Sequence, residues 1–232
     1  ATTEIYTLSL HDALPILILD NEHGEIPLES VGDLIRAAKV ADIPAIVRVY
    51  EGNPELIDKA LDLGADGVQV PNIGSKADAE RAVQAAKFAP MGSRGCNRFV
   101  RAGKYGSIDK NQFFGKANEE TAVILQVEGQ DGVAALSDIL TVKGIDVLFV
   151  GPYDLSASLG IPGQVDHPKV IEQMEQIMKE AEKVGVAIGF FVDDVRKAVE
   201  WRNRGVQYVS FSSDVGELYT RFKECADYFK SK

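Results

Sequence analysis

Residues 186–229 read VAIGFFVDDVRKAVEWRNRGVQYVSFSSDVGELYTRFKECADYF. Two apolar runs, Val186–Phe190 and Val206–Phe211, alternate here with two segments of helical period, Asp193–Arg204 and Val215–Phe229. A nearly unbroken apolar run predicts a strand covered on both faces, as in a parallel sheet under helices. The same alternation extends toward the N-terminus. Strand-like runs fall at Ile16–Asp20, Ala45–Val49, Gly67–Val70, Ala122–Val127 and Val147–Val150, and helical segments include Leu28–Val40, Pro54–Leu63, Ala77–Lys87 and Pro168–Val184. Repeated strand–helix order of this kind predicts an α/β fold closed as a TIM-type (β/α)8 barrel.

These runs make seven strands, one fewer than a closed barrel of this type requires. Ile5–Leu10 alternates like a strand, but about five residues separate it from Ile16, whereas a parallel crossover needs a dozen or more. The expectation is therefore a first βα unit that is missing or replaced, leaving the strands on either side with open edges and the fold less stable for it.

With 232 residues, 45% hydrophobic and 26% charged, and no Pro/Ser/Gly-rich or charge-block linker, the chain reads as a single globular domain. Its net charge of -10 leaves no broad basic surface for a phosphate backbone, which argues against nucleic acid as a partner. No apolar run approaches the roughly 18 residues that span a bilayer, and the N-terminus lacks the basic-then-apolar order of a signal peptide. A cytoplasmic protein with no membrane partner is the expectation. Cys96 and Cys225 are too few and too far apart for a disulfide framework or a zinc ribbon.

The stretch from Phe88 to Thr121 is long for a connection and carries Arg94, Arg98, Arg101 and Lys104 among five glycines. It reads equally as a solvated excursion or as a segment that attracts an anionic substrate.

In a (β/α) barrel the active site forms at the C-terminal ends of the strands, so polar residues that interrupt or close apolar runs are the candidates. Asp20 and His23 follow Ile16–Leu19, Arg48 interrupts Ala45–Val49, Gln126 and Glu128 close Val123–Leu125, and Asp154 follows Leu148–Tyr153. Glu128 and Asp154 offer the oxygen ligands of a hard divalent ion, although each also suits the acidic start of a following helix. Arg48 either pairs with Asp20 or Glu22 or binds a substrate oxygen. His23 reads as a surface or core histidine, or as a general base oriented by Asp20. His11 and His167 are weaker candidates, His167 reading best as a cap before Pro168, and Asp214 as a helix N-cap.

The stretches Leu19–Gly24, Gly67–Asn72, Gln126–Glu128, Gly151–Ser156 and Ser213–Gly216 together resemble the HpcH/HpaI aldolase family, in order and with natural spacing from Ile16 onward. The resemblance implies a class II aldolase, a carbon–carbon lyase acting on 4-hydroxy-2-oxo acids through the enolate of pyruvate. It implies Glu128 and Asp154 as ligands of Mg²⁺, Mn²⁺ or Co²⁺, chelated in turn by the 2-oxo acid. It further implies Arg48 on the keto or enolate oxygen, substrate contacts from Gln126 and from the amides around Tyr153 and Asp154, and His23 with Asp20 handling the proton. A homo-oligomer, a hexamer or trimer of dimers that exchanges its last helix between subunits, is implied as well. Residues 1–15 depart from the family pattern and resemble a peptide produced by translating sequencing-adapter DNA, so the barrel domain is expected to occupy residues 16–232.

Chemistry agrees with the metal-dependent reading. A Schiff-base aldolase needs a lysine at a strand end, and Lys39, Lys59, Lys87, Lys143 and Lys183 all fall on helices or in loops. Two alternatives stay open: an acyl-CoA lyase of the citrate-lyase β or malyl-CoA type, and a catalytically impaired oligomeric barrel.

Overall fold

The computed structural model describes residues 6–9, 15–50 and 52–232. Its frame is seven parallel strands, β2 (Pro15–Asp20), β3 (Ala45–Arg48), β4 (Gly67–Val70), β5 (Ala122–Val127), β6 (Val147–Val150), β7 (Ala187–Val192) and β8 (Tyr208–Phe211), each hydrogen-bonded to the next. The helices α1 (Leu28–Val40), α2 (Pro54–Asp62), α3 (Lys76–Ala86), α4 (Lys110–Glu120), α5 (Gln130–Ala134), α6 (Leu136–Ile139), α7 (Pro152–Ser158), α8 (Pro168–Val184), α9 (Val195–Asn203) and α10 (Asp214–Lys230) come between and after the strands. The strand and helix segments expected from the sequence all form, with ends shifted by two residues or fewer.

One expectation about the barrel's closure is overturned. A strand β1 (Tyr6–Ser9) lies between β8 and β2 and closes the circle, pairing antiparallel with both. Too few residues link β1 to β2 for a parallel crossover, but an antiparallel pair needs only a hairpin-length connection. The edges of β2 and β8 are therefore paired.

Successive strand residues face opposite sides of the sheet, so each apolar run divides between two cores. Leu19, Val47, Val68, Leu125, Leu148, Phe190 and Val209 face outward into the main core, which includes Ile35, Ile57, Val83, Ile139 and Ile177 of the helices. Ile18, Ile46, Ile124, Phe149 and Tyr208 face inward and plug the barrel. Gly189 makes room in that plug: a Cβ there would stand 2.8 Å from the Tyr208 ring and 2.9 Å from the Phe149 ring. Two residues further along the same inward face come Asp20, Arg48, Gln126 and Ser210. A polar layer thus sits directly above an apolar floor, at the C-terminal mouth.

The excursion between α3 and β5 belongs to the opposite end of the barrel, because it enters a strand rather than leaving one. Arg94, with a side chain only 2% exposed, donates to Asp58 at 3.0 Å and Asp62 at 2.7 Å on α2 and lies over the Phe88 ring. Arg98 donates to the Ile108 carbonyl at 3.2 Å and to that of Gly106. Arg94 and Arg98 are thus spent on partners within the protein, a role that neither the solvated nor the substrate-attracting reading gave them. Arg94→Ala should lower stability by roughly 2–3 kcal/mol, since two part-buried carboxylates lose their partner, while kcat stays unchanged. Chemical denaturation beside a steady-state assay checks this, and a raised KM for substrate would contradict it.

α10 packs differently from the other long helices. It has no buried residue, and Leu218, Tyr219, Phe222, Tyr228 and Phe229 are all exposed. Among the described residues no helix is long and apolar enough to cross a membrane.

Candidate active site at the C-terminal mouth

A cavity of about 540 Å³ opens at the strand ends, and its wall includes Asp20, His23, Arg48, Gln126, Tyr153 and Asp154. Register explains how residues so far apart in sequence meet. Asp20 on β2 is the direct partner of Arg48 on β3, which in turn pairs with Gln69 on β4, so three polar side chains stand in a row on the inward face.

The row is tightly bonded. Arg48 Nε donates to Asp20 Oδ1 at 2.8 Å and Nη2 to Oδ2 at 2.5 Å, a two-pronged grip on a carboxylate that is 1% exposed. The backbone amides of Glu22 and His23 also donate to Asp20 Oδ1, at 3.0 and 3.4 Å. Burial opposes the charge on Arg48, yet its bonds and charge interaction with Asp20, backed by Glu22 and Glu128, hold its pKa above the ordinary value. Glu22 sits on the open side of this pair. Its Oε1 accepts from Asn72 Nδ2 at 3.3 Å, and its Oε2 is buried, without a hydrogen bond among the described residues, 3.5 Å from Arg48 Nη1. Burial raises the Glu22 pKa against the lowering pull of Arg48 and His23.

A second chain of amides leads to Glu128. Gln69 Nε2 donates to Gln126 Oε1 at 2.6 Å, and Gln126 Nε2 donates to Glu128 Oε2 at 2.5 Å. Asn72, held in the left-handed region at φ 57°, turns its backbone N–H onto Glu128 Oε1 at 3.0 Å. Glu128 is 4% exposed, and burial pushes its pKa up to about 7, against these hydrogen bonds and with the charges of Asp154 and Glu22 adding to the rise. Gly151 lets this carboxylate come so close to β6, because a Cβ there would stand 2.5 Å from Glu128 Oε2. Asp154 lies three residues on, exposed in the first turn of α7.

Across the mouth, Tyr153 Oη donates to Asp193 Oδ2 at 2.6 Å, and its ring packs edge-on against Phe191. The hydrogen bond to Asp193, together with burial, pushes the Tyr153 phenol up to about 12, so it stays protonated at neutral pH.

This architecture meets known proteins at one point. The model of the HpcH/HpaI aldolase/citrate lyase family matches residues 5–220. The chain belongs to that family. It is 32% identical to the 5-keto-4-deoxy-D-glucarate aldolase of Salmonella paratyphi C (strain RKS4594), over 99% of this chain and 88% of the relative. An HpcH/HpaI aldolase/citrate lyase family protein from Burkholderia cenocepacia J2315 superposes with a TM-score of 0.86 at 34% identity, covering 92% of this chain and 85% of that one. The citrate synthase SbnG superposes with a TM-score of 0.83 at 31% identity, covering 93% and 84%.

Within this HpcH/HpaI chain Asp20, His23, Arg48, Gln126, Tyr153 and Asp154 line the mouth, and Glu128 is buried beside it on Gln126; Arg48 meets both Asp20 and Glu22, whereas His23 is paired otherwise than expected. The carboxylate recorded against the His23 ring is Glu22, with Oε2 3.9 Å from Nε2, while Asp20 meets His23 through the backbone amide. The His23 side chain is 68% exposed. Gln126 spends both ends of its amide on Gln69 and Glu128. The cap of α10 is Ser213, whose Oγ accepts from Gly216 N at 3.2 Å, and Asp214 is the first helical residue. His167 caps α8 as expected, accepting from Lys169 N. His11 lies outside the described residues. Glu22, Gln69 and Ser210 were not singled out as site residues. Gln69 and Ser210 carried the signal that exposed Arg48, a polar residue inside an apolar run.

Proposed function

We propose that this protein is a metal-dependent aldolase that adds the enolate of pyruvate to an aldehyde, or cleaves the corresponding 4-hydroxy-2-oxo acid. The observation that carries the reading is one cavity lined by Asp154 and by a guanidinium anchored by Asp20, with the buried carboxylate of Glu128 close enough to feel the charge of both, and with no lysine among the described residues of its wall. The last feature weighs against a Schiff-base mechanism. Lys87, the buried lysine, donates instead to the carbonyls of Asn118 and Thr121 at the far end of the barrel.

The donor set suits Mg²⁺, Mn²⁺ or Co²⁺. Among the described residues no group of three or more His, Cys, Asp and Glu side chains could hold a metal ion, but a hard divalent ion commonly takes only one or two carboxylates and completes its shell with water and substrate. The repulsion that Asp154 and Glu22 exert on Glu128 is the kind a divalent cation relieves. When bound by Glu128 and Asp154, such an ion supplies Lewis acidity at the keto oxygen of pyruvate.

The chain's own residues do the rest. Arg48 faces the oxygen on which negative charge grows as the methyl proton leaves, and Asp20 fixes its plane. Gln69 and Gln126 hold the Glu128 carboxylate in place. The amides of Tyr153 and Asp154, in the first turn of α7, receive the pyruvate carboxylate. His23, with Glu22 beside it, takes the methyl proton and returns a proton to the aldehyde oxygen once the new carbon–carbon bond has formed. A homo-oligomer of hexamer or trimer-of-dimers type would cover the exposed apolar side chains of α10.

Pyruvate and aldehyde consumption, measured with Mn²⁺ and again with EDTA, tests the activity. Turnover of malyl-CoA in place of the aldehyde would favour the acyl-CoA lyase alternative. His23→Ala should slow the proton step by about 10²–10⁴-fold, read as deuterium uptake from solvent into the pyruvate methyl. Unchanged uptake would assign the base elsewhere.

A further inference from the structure

We infer that the β7–β8 side of the mouth is a subsite for an uncharged, hydroxyl-bearing aldehyde, with Ser210 and Asp193 binding its hydroxyl group. The inference rests on the pyruvate aldolase reading and names the acceptor class for that same site.

Going round the barrel, the charged machinery occupies one arc. Asp20, Arg48, Gln69 and Gln126 stand on β2 to β5, and Glu128 and Asp154 follow β5 and β6. A second substrate approaching the pyruvate methyl has the remaining arc, β7 and β8. That arc presents Phe191, Asp193, Ser210 and Ser212 to the cavity.

Two of these residues offer unused hydrogen-bonding capacity. Ser210 is 1% exposed, and its Oγ has no hydrogen-bond partner among the described residues, although a buried hydroxyl is normally satisfied. It sits one inward position above Tyr208, hence at the cavity floor, where a ligand hydroxyl could complete it. Asp193 is held from one side only. Tyr153 Oη bonds its Oδ2, and the Tyr153 ring is braced edge-on by Phe191 at 6.0 Å, so the other carboxylate oxygen is oriented and left to accept from a hydroxyl.

Charge narrows the class further. Among the described residues of the cavity wall Arg48 is the only lysine or arginine, and Asp20 already holds it, while Asp154 and Asp193 flank the acceptor side. An aldehyde with its own carboxylate would meet the charge of Asp193 there, while Arg48 and the metal ion proposed on Glu128 and Asp154 are engaged by pyruvate. An alkyl aldehyde would leave the buried Ser210 hydroxyl unsatisfied and leave Asp193, which is exposed, to water, and a site built to bond a hydroxyl penalises the analogue that lacks it.

The test measures kcat/KM with pyruvate and Mn²⁺ for glycolaldehyde, its near-isostere propanal, and succinic semialdehyde, in the unaltered protein and in Ser210→Ala and Asp193→Asn. Comparing variants cancels the intrinsic reactivity of the aldehydes. Ser210→Ala should cut the glycolaldehyde-to-propanal ratio about 3- to 10-fold. Asp193→Asn should cut it as well and raise the succinic semialdehyde-to-glycolaldehyde ratio. Ratios unmoved in both variants, with deuterium uptake into the pyruvate methyl retained, would overturn the subsite alone. No uptake in the unaltered protein would overturn the aldolase reading beneath it, and the subsite with it.

Discussion

Glu128→Gln is expected to lower kcat at least about 10²–10³-fold, the equivalent of losing about 3–4 kcal/mol of Lewis-acid stabilisation in the transition state. The substitution keeps the size and shape of the side chain and removes the charge that would hold a cation. The fold should tolerate it. The carboxylate replaced is buried, and desolvation already pushes its pKa up to about 7, so a neutral amide in its place is no more costly to bury. Both Glu128 oxygens accept hydrogen bonds, from Asn72 N and Gln126 Nε2, whereas an amide accepts through only one. Stability should therefore stay within about 1 kcal/mol of the unaltered protein, the typical worth of one hydrogen bond. Turnover at saturating Mn²⁺, read beside the unfolding midpoint, separates the two effects. Full activity in this variant would remove Glu128 from the metal site.

Arg48→Ala should damage both stability and chemistry. Asp20 is almost wholly buried, and removing its partner leaves an uncompensated charge at a cost of about 3–5 kcal/mol. The enolate oxygen also loses its fixed donor, worth on the order of 10²–10³-fold in rate. A double variant, Asp20→Asn with Arg48→Ala, distinguishes these contributions, because it removes the stranded charge without restoring the guanidinium. Its denaturation midpoint should recover most of the lost stability while kcat stays low. If activity returned together with stability, Arg48 would be a structural ion-pair partner and nothing more.

The strands were legible in the sequence because both of their faces are apolar, so each reads as a continuous run rather than an alternating one. Their polar exceptions were legible for the same reason: Asp20, Arg48, Gln126 and Glu128 stand out where apolar side chains end. Partner choice was legible in part: Asp20 and Glu22 were the two carboxylates open to Arg48, and both lie against it, but which takes the two-pronged bond was not. The β2–β3 register decides that Asp20 faces Arg48 directly, and register is a property of the closed sheet. The end of the barrel reached by the Arg94–Lys104 stretch follows from its place between a helix and the strand it enters. The alternation of Ile5–Leu10 marks β1 as a strand, but its short connection excludes only a parallel partner and leaves the antiparallel pairing that closes the barrel. Ser210 and Gln69 passed as ordinary strand residues because one small or neutral polar side chain interrupts an apolar run far less visibly than a guanidinium does.

Deuterium uptake from D₂O into the methyl group of pyruvate, followed without any aldehyde, tests the central claim most directly because it isolates enolate formation from every question of acceptor. Uptake is expected with Mn²⁺ or Mg²⁺, abolished by EDTA and restored by added metal, and lost in Glu128→Gln. Uptake that persists in EDTA, with the protein trapped on pyruvate by borohydride, would instead show an amine-based mechanism and contradict the metal-dependent account.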